Sequence, residues 1–261
     1  MVIPVLFKIG PLPIHSYGVM LVVAFLTDYF LLKYLLKERG MEKEERTRLA
    51  GDVVMWAAIG GIVGSRVYYI IENFSRFLED PIGMIFSGAG LVFLGGLMGG
   101  VAAGYILIIR RGFKWLEFAD MVAPLIILGY AIGRIGCLLV GDDYGVSTDV
   151  PWAMTFPIGT PPTTVPVHPT QIYETLLGFG IFAILWKLRG KLKPTGSLFS
   201  LYLILAGLER FSIEFIRTNT HYFFSLSGAQ IISILMILLG TIMIVRLRQA
   251  SGEKASLESS P

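Results

Sequence analysis

The sequence predicts an all-α integral membrane protein of about seven transmembrane helices, with its N-terminus outside and its C-terminus in the cytoplasm. Three observations carry this: the composition, the length of the apolar runs, and the placement of the basic residues between them. Of the 261 residues, 54% are hydrophobic and only 16% charged, with a mean hydropathy of +0.68. Soluble domains carry about a quarter charged residues, so this composition cannot build a water-facing surface. The bilayer is the solvent that tolerates it.

Crossing about 30 Å of hydrocarbon takes roughly 20 mostly apolar residues. Along the chain the qualifying segments are 13–36, 50–72, 88–109, 117–139, 170–187, 196–217 and 228–246. Residues 1–248 therefore read as a single transmembrane helical domain, and 249–261 as a polar tail expected to lack structure. The opening stretch is interrupted by Pro4, Pro11 and Pro13 and has no basic start, unlike a cleavable signal peptide. The single cysteine, Cys137, excludes an internal disulfide and a cysteine-based metal cage.

Orientation follows from where Lys and Arg fall. The loop after the first span holds Lys33, Lys37, Arg39, Lys43, Arg46 and Arg48. The loop after the third holds Arg110, Arg111 and Lys114, and the loop after the fifth Lys187, Arg189, Lys191 and Lys193. The tail holds Arg246, Arg248 and Lys254. The opposite side has only Lys8 and Arg76, and the long loop 140–169 has no basic residue. A missed span would break this alternation.

Arg66, Arg134, Arg210 and Arg217 lie inside spans. Each costs at least ~2.5 kcal/mol at a helix centre, so each should face protein, a polar cavity or the interface. The topology puts Arg66, Arg134 and Arg217 in the outer part of the membrane. Arg210 lies seven residues, about 10 Å, deeper than Arg217 on nearly the same helix face, and Glu214, four residues on, shares it. Tyr17 and the histidines His15, His168 and His221 fall on the outer side too, so the polar chemistry converges on one cavity open to the outer leaflet. For Arg66 and Arg217, near span ends, snorkelling or pairing with lipid head groups is the alternative. Glu209 and Glu214 can serve Arg210 as neutralising partners.

The third span contains FLGGLMGGVAAG, whose small residues suit close helix packing and also leave room for a lipid tail. The segment GRIGCLLVGDDYG (133–145) sets Gly133 and Gly136 around Arg134, a pattern that lets backbone approach a phosphate, and continues to the carboxylates Asp142 and Asp143.

This segment resembles the signature of the prolipoprotein diacylglyceryl transferase family, usually G-R-x-G-N-F-x-N-G-E-x-x-G. SYG at 16–18 is similar to the family's first-span tyrosine motif and GSRVYYII at 64–71 to its second-span motif. HPTQIYE at 168–174 resembles H-P-S-Q-L-Y-E, and LERFSIEFIR at 208–217 matches R-F-x-x-E-x-x-R. The resemblance spans nearly the whole chain. It implies transfer of the diacylglyceryl group of phosphatidylglycerol to the lipobox cysteine of secreted preproteins at the outer face of a bacterial inner membrane, with glycerol-1-phosphate leaving. It implies no metal and no cofactor, and membrane lipids rather than nucleic acid as partners. Carried over by motif, Arg134 would hold the lipid phosphate and Arg210 would stabilise charge as the phosphate leaves. Tyr17, Asp142, Glu174, Glu214, Arg217 and Arg66 would line and support the site.

The chain departs from the family pattern at Leu94, where the third-span motif H-G-G-L has histidine, at Cys137 in place of the signature asparagine, and at Ala206 in place of a tyrosine. Without that histidine the base must come from Glu174, Asp142, Asp143 or His168, or the arginines must suffice, and the expectation is weak or acceptor-restricted transfer. The alternatives are a relative that binds lipid or modifies another acceptor, and a transporter. Against transport stand the absence of a repeated half and of paired broken helices at the midplane.

Overall fold

In a computed structural model, which describes residues 2–86, 92–218, 221–223 and 226–258, the apolar runs fold as helices. The long ones are α1 (Ser16–Glu38), α2 (Lys43–Glu72), α5 (Phe93–Arg110), α6 (Trp115–Val140), α7 (Thr170–Leu188), α8 (Ser197–Glu214) and α9 (Gly228–Glu258). Two short helices, α3 (Phe74–Glu79) and α4 (Pro81–Phe86), follow α2. Among the described residues, four helices are long and apolar enough to cross a membrane, namely α1, α2, α6 and the Gly228–Ser251 stretch of α9. The segment read as a tail begins inside α9, which runs on to Glu258 through the helix-forming residues Glu253, Lys254, Ala255 and Leu257. The side chains of Leu94 and His221 lie outside the described residues.

Burial is inverted relative to a soluble protein. Phe30 and Leu235 are 61% and 59% exposed, whereas Glu174 is 0% exposed, and Gln171, Glu214 and Gln230 are buried with it. Apolar side chains turned outward and polar ones turned inward suit lipid as the surrounding medium. This is a membrane protein.

The chain divides into two compact units, one of residues 1–31 with 119–261 and one of residues 32–118. In the second, α2 and α5 pack along one another through glycines. A Cβ on Gly64 would strike the Gly95 carbonyl oxygen and the Gly99 Cα, and one on Gly99 would strike the Gly60 carbonyl oxygen. The glycines of α5 are therefore used for backbone-to-backbone approach to α2, the close geometry small residues permit. Arg66 belongs to this unit, where its guanidinium donates to the Met84 carbonyl oxygen at 3.1 Å.

The first unit holds the site. Its core is built where α6, α7 and α8 meet, around Ile127, Ile181, Leu185, Leu198 and Ala206, with Ala24 of α1 packed on Leu128 and Ile132 of α6. Asp120 of α6 accepts from the backbone N–H groups of Gly196 and Phe199 at 2.6 and 2.7 Å and so caps the N-terminus of α8. Among the described residues, three antiparallel strand pairs interrupt the helices: β1 (Val5–Ile9) with β2 (Leu12–His15), β3 (Met154–Phe156) with β4 (Thr163–Val167), and β5 (His221–Phe223) with β6 (Leu226–Ser227). They lie at the start of α1, between α6 and α7, and between α8 and α9. The first is tied to the end of α6 by the Ile3 N–H donating to the Leu139 carbonyl oxygen at 2.7 Å.

Candidate functional site

The carboxylate of Glu174 is the centre of the site. It sits one turn into α7, fully buried, and its Oε1 receives groups from two other helices and a turn. Arg210 of α8 approaches it at 3.0 Å, Arg134 of α6 at 3.4 Å and Arg217 at 3.5 Å. The Tyr130 hydroxyl donates to the same oxygen at 2.9 Å. Tyr130 precedes Arg134 by one helical turn, which brings the guanidinium to 5.0 Å from the ring centre.

Two further carboxylates complete the charge balance. Glu214, four residues after Arg210 on α8, meets its guanidinium at 2.9 Å and accepts from the Ser227 hydroxyl at 2.6 Å. Asp143 bridges Arg134 at 2.7 Å and Arg217 at 2.6 Å. Three guanidiniums thus interleave with three carboxylates, an arrangement that makes charge affordable in a low-dielectric interior.

Asp143 reaches the arginines because the chain turns sharply after α6. Gly141 and Asp143 both take left-handed φ values, 74° and 60°, and aspartate tolerates this region better than most residues. The turn is clamped to the start of α7, where the Thr170 hydroxyl donates to the Asp143 carbonyl oxygen at 2.6 Å and the Gln171 amide donates to that of Asp142. At Gly145 the chain passes so close to the segment after α8 that a Cβ would strike the Ile216 carbonyl oxygen. There Gly145 forms a β-bridge with Arg217, and the Val146 N–H donates to the Ile216 carbonyl oxygen at 2.8 Å.

The structure brings most of the expected residues together and alters the part some of them play. Arg134, Arg210, Glu174, Glu214 and Arg217 converge. The helix ends at Glu214, however, so Arg217 is not on the Arg210 face of α8 but beyond it, steered into the cluster by the bridge to Gly145. The carboxylate on the arginines is that of Asp143 rather than Asp142. Burial raises the Asp142 pKa, with the neighbouring Asp143 charge adding to it. Burial also acts to raise that of Asp143, but Arg217 and Arg134 outweigh it and hold the carboxyl below its ordinary value. Tyr17 lies against Gly136, whose missing side chain lets α1 approach: a Cβ there would stand 3.1 Å from the Tyr17 ring and from the Met20 Cβ. Beside Gly133 a Cβ would meet nothing within 4 Å. Arg66 belongs to the other unit.

Sequence reasoning missed Tyr130. Its only signal was its position one turn before Arg134 in an otherwise apolar run.

Cys137, Asp142 and Asp143 offer donor atoms within 4.8 Å of one another. The Arg134 guanidinium lies 3.8 Å from the Cys137 sulfur and 2.7 Å from Asp143, so a metal ion there would meet a fixed positive charge. The set serves the arginine better than a cation. Planar guanidiniums at fixed positions are suited to a phosphate.

Fold and site define a helical membrane protein with a buried arginine–carboxylate cluster. Residues 4–246 match the family model described as prolipoprotein diacylglyceryl transferase, and the chain belongs to that family. Similar proteins are each named phosphatidylglycerol–prolipoprotein diacylglyceryl transferase. One, from Coxiella burnetii, is 38% identical over 218 residues, 82% of this chain and 81% of its own length. Another, from Idiomarina loihiensis, is 36% identical over 255 residues, covering 94% and 93%. A third, from Bordetella avium, is 33% identical over 249 residues, 93% of each.

Proposed function

We propose that this protein transfers the diacylglyceryl group of phosphatidylglycerol to the lipobox cysteine thiol of secreted preprolipoproteins, releasing glycerol-1-phosphate. The observation that carries this is the sharing of one buried Glu174 oxygen by Arg134, Arg210 and Arg217 in a member of this family. The cluster is charge-balanced at rest, and the lipid phosphate takes the place of the Asp143 carboxylate on Arg134. Asp143 suits that exchange because its side chain is 43% exposed, whereas that of Glu174 is buried. The open space beside Gly133 admits the phosphate, and Tyr17 and Asp142 border the lipid. As the thiol sulfur bonds to the glyceryl carbon, the carbon–oxygen bond breaks and the phosphate gains a second charge. Arg210, preorganised by Glu174 and Glu214, stabilises that charge without reorganising. No cofactor takes part.

Complementation of a transferase-depleted bacterium tests this. Growth should return, and mass spectrometry of a model lipoprotein should show the added diacylglyceryl group. If the protein accumulates in the membrane and the lipoprotein stays unmodified, the lipid-binding alternative takes over, a reading that Leu94 at the family's histidine position favours.

The proposal includes a multi-pass topology in the bacterial inner membrane. α1, α2, α5, α6, α7, α8 and α9 are the seven spans, the N-terminus is periplasmic and the C-terminus cytoplasmic. Support comes from the alternation of basic residues. It comes also from the site being built at the end of α6, the start of α7 and the end of α8, which this topology puts on one side. Asp149 is exposed and the one native cysteine is buried, so background labelling is low. Cysteine introduced by Asp149→Cys should react with an impermeant thiol reagent in intact spheroplasts. Reaction only after the membrane is broken would reverse the orientation.

A further inference from the structure

Glu209 stands apart from the ion pairs. It lies on α8, 6% exposed, and among the described residues no Lys, Arg or His nitrogen comes within 4.0 Å of its carboxylate. Its contact is with the Tyr130 hydroxyl, 3.3 Å from Oε1, the same hydroxyl that stands 2.9 Å from Glu174 Oε1. A phenol has one proton to donate. It cannot serve both carboxylates in full, so the three oxygens form a chain along which a proton can pass.

The ends of this chain differ. Glu174 Oε1 is committed to three guanidiniums, while its Oε2 is buried without a hydrogen-bond partner among the described residues. Contact with guanidinium favours a carboxylate's ionised form and makes it a poor resting place for a proton. Glu209 has no such contact. Around it stand Tyr130 and Arg134 from α6, Glu174 from α7, and Arg210 and Tyr202 on α8. Where α9 packs on α8 at Gly207 it brings Ser233 and Ile237, neither ionisable.

We propose that Glu174, Tyr130 and Glu209 form the proton acceptor of the reaction, which rests on the transfer function given above. As the S–C bond forms and the C–O bond breaks, its electron pair stays on the phosphate oxygen. The thiol proton enters at Glu174, and Tyr130 passes a proton on to Glu209. The phenol ends unchanged, and the stored proton departs with the phosphate monoester, whose second ionisation lies near about 6. Tyr130 and Glu209 act through Glu174 and need no contact with the substrates.

The test compares wild type, Tyr130→Phe and Glu209→Gln in phosphatidylglycerol vesicles with a lipobox peptide, across pH 6 to 9. A thiol of pKa about 8.5 supplies roughly tenfold more thiolate per unit as pH rises toward that value. Both variants should therefore lose about 10²-fold in kcat near pH 6 and recover steeply toward pH 9, with KM for the lipid unchanged. A loss of the same factor at every pH, a change confined to KM, or a wild-type profile would overturn the relay. If Glu209→Gln fails to accumulate, Tyr130→Phe, which removes one oxygen, decides by the same criteria. Wild type inactive at every pH would overturn the transfer function itself, and the relay with it.

Discussion

Arg134→Ala and Arg210→Ala are each expected to lose transfer by at least about 10²–10³-fold, the range for deleting one preorganised donor to a developing anion, while still accumulating in the membrane. The second half of that expectation comes from redundancy in the cluster. Without Arg210, Glu174 Oε1 keeps Arg134, Arg217 and Tyr130, and Glu214 keeps Ser227. Without Arg134, Asp143 keeps Arg217 and its contact with water, and Glu174 keeps Arg210. No carboxylate is stranded in either variant, so the fold survives the loss that chemistry does not. Lysine should rescue poorly, because an ammonium reproduces the charge but not the planar fork. The assay is transfer from labelled phosphatidylglycerol to a lipobox peptide, alongside the amount of protein in the membrane. Retained activity in both alanine variants would remove the phosphate clamp.

Glu174→Ala should act in the opposite sense, through the fold first. One buried oxygen neutralises parts of three guanidiniums whose side chains are 13%, 24% and 7% exposed for Arg134, Arg210 and Arg217. Removing it leaves like charges facing one another with too few counterions. Breaking a buried pair from one side typically costs about 3–5 kcal/mol, and here one truncation breaks several contacts. The expected result is a protein that accumulates at a small fraction of the wild-type level and melts earlier in detergent. Glu174→Gln, which keeps the shape and one acceptor oxygen, should fall between. Wild-type accumulation and melting in the alanine variant would show that Asp143 and Glu214 balance the arginines by themselves.

The membrane character and the presence of Arg134, Arg210 and Glu214 inside apolar runs were legible without a structure, whereas Glu174 was marked only by the resemblance of HPTQIYE to the family motif. The cost of a charge in hydrocarbon is paid locally, so an arginine inside an apolar run announces itself wherever its partner lies. The glycines of α5 were legible for a similar reason, since a run of residues without bulk has few uses besides close approach. Partner choice was not legible. That Asp143 rather than Asp142 meets the arginines depends on left-handed turns at Gly141 and Asp143, and a loop carries no period from which to read the direction of a side chain. Arg217 looked like the next turns of α8 because 3.6 residues per turn continue on paper past Glu214; the bridge to Gly145, some seventy residues away in sequence, ends the helix there. Tyr130 and Glu209 are joined only by the approach of α6 and α8, and a tyrosine in an apolar run reads as one more aromatic until its hydroxyl has neighbours. Composition and local spacing thus determined the solvent of this protein and the charged groups within its apolar runs, and the family resemblance added Glu174. Tertiary structure decided which groups share a proton or a charge, because that depends on distances between segments that are far apart along the chain.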